Sequence, residues 1–188
     1  MWDYYDPSPR TVLPRPLALV GHAGNRSPDI AGALTLTTGI PLADLHRWVE
    51  HERGCSVAAY VVQEGRRALV DDEARMVQRA LQGTPPPVML LSDLALTRSR
   101  TVRALSAKAD VVWLRRSLAS THQALQQLHA RTPDQLPDFV FGVPDDVDDL
   151  ETLWLEREPS LRHAHHVIDV DDVPTTKIVQ QLLRLAGL

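Results

Sequence analysis

Among 188 residues there is one cysteine, Cys55, so no disulfide can form within the chain. None is needed, because a chain of this length buries roughly 70% of the surface its unfolded form exposes. Aromatic residues are scarce at nine, and no apolar run approaches the ~20 residues of a membrane-spanning helix. Positive charge is in deficit, with 20 Lys and Arg against 24 Asp and Glu, a net charge of -4. That balance offers no electrostatic footprint for nucleic acid or an anionic membrane. The N-terminal Met1-Trp2-Asp3-Tyr4-Tyr5-Asp6 lacks the basic and apolar regions of a signal peptide. These absences lead us to expect a soluble, cytoplasmic, single-domain protein.

What is present falls into two parts. Residues 1–16 carry Pro7, Pro9, Pro14 and Pro16, which remove backbone donors and fix φ too often for regular structure, and read as a leader. From residue 17 to 188, short apolar runs alternate with stretches of helical period, the pattern of parallel strands covered by helices on both faces. Strands are predicted at 17–20, 88–91, 111–114 and 167–170, with a weaker one near 40–42. Helices are predicted at 45–53, 71–82, 97–108, 118–130, 147–157 and 175–186. Gly83-Thr84-Pro85-Pro86-Pro87 reads as a stiff connector between a helix and a strand.

The first strand runs into Gly21-His22-Ala23-Gly24-Asn25-Arg26-Ser27-Pro28-Asp29 and then a helix. Strand, glycine loop and helix is the order of a phosphate loop, in which backbone N–H groups surround phosphates, a lysine reaches the terminal ones and a hydroxyl holds magnesium. A tight turn without a ligand has the same outline.

Further stretches give the comparison direction. Leu105-Ser106-Ala107-Lys108-Ala109-Asp110-Val111-Val112-Trp113-Leu114, Glu156-Arg157-Glu158-Pro159 and Asp169-Val170-Asp171-Asp172-Val173-Pro174 follow in an order that resembles the shikimate kinase family over residues 17–187. Glu50, Gly54, Glu64, Gly65, Asp71 and Glu73 also fall where that family's substrate-binding helices carry such residues. The resemblance implies a three-layer α/β/α domain with a five-stranded, mainly parallel sheet, as in phosphate-loop and nucleoside monophosphate kinases. It implies a nucleotide side at Gly21, Gly24, Asn25, Arg26, Ser27, Asp171 and Pro174, a catalytic position at Asp44, substrate contacts at His46 and Arg157, and a lid at 131–149.

The departures from the family pattern concern its chemistry. Where the family reads G-x-x-G-x-G-K-[ST]-T, the third glycine is Arg26, the lysine is Ser27 and the magnesium-holding hydroxyl is Pro28. Asp29 adds negative charge at a helix N-terminus that should receive phosphate. Arg26 is the nearest cation to stand in for the lysine, without the compact geometry of an ammonium. The family's D-x-D pair is Asp44-Leu45-His46, its basic residue before D-R-E is Val70, and its G-G-G loop is Ser92-Asp93-Leu94. Asp44 suits a helix cap, and His46 suits either a surface position or a general base. Arg157 alone remains of the expected substrate-contacting arginines. Between Arg131 and Arg157, where a lid would close arginines over phosphate, there is no Lys or Arg but eight acidic residues, together with Phe139 and Phe141.

Two other constellations are weaker. His163, His165 and His166 before Asp169, Asp171 and Asp172 fit a solvated connection into a strand better than a metal site. Cys55 near His51 fits packing better than nucleophilic chemistry. No bound metal and no cofactor is therefore expected, with ATP and magnesium entering only if the chain is an active kinase. Three functional classes follow: a shikimate-kinase-like pseudoenzyme that binds a protein partner, a second copy or a small ligand; an atypical phosphotransferase using Arg26, Asp44, His46 and Arg157; and a non-kinase subunit exploiting the acidic lid and the leader's Trp2, Tyr4 and Tyr5.

Overall fold

The structure is a computed structural model and describes residues 11–131 and 147–188. Five strands form one sheet: β1 (Leu17–Val20), β2 (Leu42–Asp44), β3 (Val88–Leu90), β4 (Asp110–Arg115) and β5 (His166–Asp169). All pairings are parallel, in the order β2-β3-β1-β4-β5. The described helices are α1 (Ser27–Thr38), α2 (Leu45–Arg53), α3 (Val57–Ala80), α4 (Ser99–Lys108), α5 (Leu118–Arg131), α6 (Val147–Leu161) and α7 (Thr175–Leu185), with a 3-10 turn at Asp93–Thr97.

Successive residues on each strand feed opposite faces, which is why the strands read as continuous apolar runs. Leu17, Leu19, Val112 and Leu114 join one core with Ile30 and Leu34 of α1 and Ile178 and Leu182 of α7. Ala18, Val20, Val111 and Trp113 join the other with α2, α3 and Leu105 of α4. The expected three-layer α/β/α arrangement is present, and its sheet is wholly parallel.

Three sequence expectations are corrected. The helix expected at 71–82 begins at Val57, because Ser56 accepts from the Ala59 N–H as a cap and Val57, Tyr60 and Val61 bury one face. Gly65, at φ 83° and ψ 160°, breaks that helix in the middle and hides its first half from a periodicity search. The weak strand near 40–42 lies at Leu42–Asp44, and the helix after the glycine loop runs on to Thr38. In the segment preceding β1, Leu13 is 2% exposed and belongs to the α1–α7 core. Trp2, Tyr4, Tyr5, Phe139, Phe141 and nearly all of the expected lid lie outside the described residues. No helix among the described residues is long and apolar enough to cross a membrane.

Candidate functional site

The carboxyl ends of parallel strands, at the point where strand order reverses between β1 and its two neighbours, form the crevice that such sheets offer to ligands. There Val20 of β1 passes into Gly21–Arg26 and then into α1. Gly24 has φ 76°, and a Cβ on it would stand 2.7 Å from Leu125 Cγ, so the residue is glycine both for its backbone and for the approach of α5. Leu125 and Leu150 form a small apolar cluster against Ala23, which seats α5 and α6 on the loop.

Asn25 folds back over its own loop. Its Oδ1 accepts the Ser27 N–H at 2.6 Å, and its Nδ2 lies 2.1 Å from where a Cβ on Gly21 would stand. The chain's own amide thus takes one of the N–H groups at the start of α1. Ser27 is 2% exposed, and its hydroxyl has no hydrogen-bond partner among the described residues.

Arg26 turns away from the loop interior. Its guanidinium donates to the Val170 carbonyl at 2.8 Å, the Val173 carbonyl at 2.7 Å and Thr175 Oγ1 at 2.7 Å, tying the start of α1 to the β5–α7 connection. Pro174 sits at the head of α7, where its carbonyl accepts from Lys177 and Ile178. Asp171 accepts the Ser117 N–H at 2.7 Å at the start of α5, with Arg116 Nε 3.6 Å away. Burial opposes its charge, but the Ser117 and Ser120 hydrogen bonds and Arg116 together hold its pKa below the usual carboxylate value. The seven residues expected on the nucleotide side therefore gather in the loop and in the β5–α7 connection, which Arg26 bonds together. Replacing Arg26 with Ala removes three charge-assisted hydrogen bonds between distant segments and is expected to lower unfolding free energy by about 2–4 kcal/mol in urea denaturation.

On the opposite side of the crevice, Asp44 caps α2 by accepting the Arg47 N–H at 3.2 Å. His46 Nε2 lies 3.1 Å from Oε1 of Glu73, a carboxylate with 0% exposure whose Oε2 accepts the Ser92 hydroxyl at 2.8 Å. A second group forms one residue further along the 3-10 turn. Asp93 Oδ2 is 3.9 Å from Arg157 Nε and 3.9 Å from His22 Nδ1. The His22 ring stacks on Trp154 of α6 at 3.7 Å and 20°, and meets Trp113 edge-on at 6.2 Å. Burial first, and the Arg157 charge second, lower the His22 pKa to about 4, so the ring is neutral at physiological pH. His46 and Arg157 thus stand in separate groups joined through Ser92 and Asp93.

With this geometry in hand, comparison with known proteins is specific. The shikimate kinase family model matches residues 29–186. The chain belongs to the shikimate kinase family. It is 27% identical over 169 residues to the shikimate kinase of Bradyrhizobium diazoefficiens, covering 90% of this chain and 78% of that protein. With the shikimate kinase of Rhodopseudomonas palustris it shares 28% over 167 residues, covering 89% and 78%. Its fold superposes on Acinetobacter baumannii shikimate kinase in complex with shikimate with a TM-score of 0.79 at 19% identity, covering 94% of this chain and 93% of that one. The Bacteroides thetaiotaomicron shikimate kinase gives 0.76 at 17%, covering 93% and 99%. The family match begins at Asp29, so Gly21–Pro28 lies outside it, while His46, Val70 and Ser92–Leu94 lie within it.

Sequence reasoning named Glu73 and Asp93 only as positions in the resemblance and gave no role to His22 or Trp154. Their signal is tertiary: residues from four segments meet at the sheet's end. Among the described residues no three His, Cys, Asp or Glu side chains gather in a metal-binding arrangement. His165 instead accepts the Val111 N–H at Nδ1, and Cys55 is half-buried against the α2–α3 core.

Proposed function

We propose that this member of the shikimate kinase family has given up phosphoryl transfer and acts by binding, with a small ligand or a protein partner as its target. The observation that carries the reading is Arg26. It is the only cation in the loop, it stands one position before the residue that replaces the family's lysine, and all three of its hydrogen bonds go to the β5–α7 connection. Nothing in Gly21–Asp29 then reaches a terminal phosphate as that lysine would. Asn25 supports the same reading by taking the Ser27 N–H, and so does Asp29, an exposed acid in the first turn of α1.

The substrate side points the same way. Shikimate is a carboxylate, and Arg157, the arginine that matches the family's motif, faces the chain's own Asp93 in place of a glycine. Val70, where the family has a basic residue, is 8% exposed and packs in the α2–α3 core. An anion entering here meets one arginine already opposed by a carboxylate.

ATP with magnesium is expected to leave the melting temperature unchanged up to millimolar concentration in a thermal-shift titration. A nucleotide at ~100 times its dissociation constant would stabilise the fold by about 2.7 kcal/mol, a shift easily seen. A saturable rise at sub-millimolar ATP overturns the reading and favours the active phosphotransferase.

A further inference from the structure

The sheet ends in two edges that are protected unequally. β2 is three residues long and follows Pro41, which has no N–H to offer a further strand. β5 forms the other edge, hydrogen-bonded to β4 alone among the described residues. It carries no proline or lysine, and Val167 within it is 48% exposed. Its side chains divide by alternation: Ile168 and Val170 enter the α1–α7 core, while His165, Val167 and Asp169 form one exposed row. The backbone divides too. The Val170 N–H donates to the Arg115 carbonyl at 2.9 Å, so Ile168 also faces β4, and Val167 turns its N–H and C=O to the open edge. An open groove of about 730 Å³ runs along this edge, flanked by Gln181, Arg184 and Leu185 of α7.

The exposed row is its own complement. His165 Nδ1 accepts the Val111 N–H at 3.2 Å, so the neutral ring holds its proton on Nε2 and presents a donor. Asp169 presents an acceptor, its charge offset by Arg115 Nε at 2.5 Å and Nη2 at 2.8 Å. When such a strand meets a copy of itself antiparallel, about a two-fold axis at Val167, each Val167 stands opposite the other and each His165 opposite an Asp169. We infer that β5 pairs with β5 of a second copy of this chain, joining two five-stranded sheets across this edge. The two Val167 residues exchange N–H···O=C bonds, their side chains meet on the axis, and two His165–Asp169 pairs close the ends. An unrelated strand gains the backbone bonds alone, whereas a second copy gains the side-chain pairs as well. The inference goes beyond the binding role proposed above and holds whether or not phosphoryl transfer is retained.

Sedimentation velocity on the full chain from about 1 to about 500 micromolar is expected to show a concentration-dependent species of twice the 20.9 kDa chain mass. Val167→Lys and Val167→Glu each set like charges face to face on the axis and are expected to weaken the dimer by at least about a hundredfold. Their circular dichroism should match the unmodified chain, because the side chain is exposed. Mixed in equal amounts, the two variants place Lys opposite Glu and are expected to dimerise again. A monomer throughout the concentration range overturns the inference and leaves the edge to another segment of this chain or to a strand of another protein. A dimer that survives both substitutions, or folded variants that do not recover on mixing, overturns the pairing across Val167. Hydrogen exchange reads the same contact without a substitution, so a variant that fails to fold does not shelter the inference. In the unmodified chain the Val167 amide is expected to exchange more slowly as chain concentration rises, and exchange independent of concentration overturns the inference.

Discussion

Shikimate incubated with ATP, magnesium and the full chain is expected to yield phosphorylated product at least about a thousandfold more slowly than in a family member that keeps its lysine and lid arginines. Phosphoryl transfer needs little covalent chemistry from the protein and depends on positioned positive charge, and single cations acting on the transferring group carry about 10³–10⁵ in rate. Gly21–Asp29 contains no lysine, and its Arg26 is bonded to Val170, Val173 and Thr175. The region between Arg131 and Arg157 holds no Lys or Arg. A coupled assay for released ADP, with product identified by mass, measures the rate. Product that forms at an ordinary enzymatic rate and disappears in Asp44→Ala overturns the proposal and restores Asp44 to a catalytic role. Product that persists in Asp44→Ala, where the α2 cap and the ion pair to Arg47 are lost, points to a contaminating kinase.

The second large effect concerns acid. His22 is buried against Trp154 and Trp113 as a neutral ring with a pKa of about 4, whereas in the unfolded chain it titrates near the ordinary 6.5. Below pH 6.5 the unfolded state takes up a proton that the folded state refuses, so stability falls with pH until about pH 4. The folded protein is expected to lose about 3 kcal/mol through this one group between pH 7 and pH 4. Carboxylates titrate in the lower part of the same window, and a variant separates them. In His22→Phe the stack on Trp154 is kept and the titration is gone, so urea denaturation at both pH values should show a loss smaller by that amount. Equal losses in the two proteins would mean that His22 is protonated in the folded state, with Asp93 as its partner at 3.9 Å.

Much of the scaffold was legible because its signals are local. β1, α2 and the start of α5 stand where the patterns placed them, since Leu17–Val20 is a short continuous apolar run and Asp44 is a cap followed by a helical period. The first half of α3 was not, although Ser56 and the spacing of Val57, Tyr60 and Val61 carried a signal, because Gly65 interrupts the helix with a positive φ. The candidate residues divide in the same way. Asp44 capping α2 needs only a partner three residues on.

The partners of the remaining site residues lie far along the chain. Arg26 could be read as a stand-in cation from its place in the loop, but its hydrogen bonds run to residues 144 to 149 positions away. Which way a long, flexible side chain turns is decided by the acceptors that folding brings within reach, and no local pattern contains that information. Asp93 likewise appears in the sequence as a glycine replaced, and only the packing of α6 on the glycine loop sets it between Arg157 and His22. The sequence by itself determined the alternation of strand and helix, the resemblance to the family, and the absence of a lysine from Gly21–Asp29 and of Lys and Arg between Arg131 and Arg157, because each is written in residue type and spacing. Tertiary structure alone decided where the surviving charges point, because burial makes each charge depend on the neighbour it meets, and those neighbours come from opposite ends of the chain.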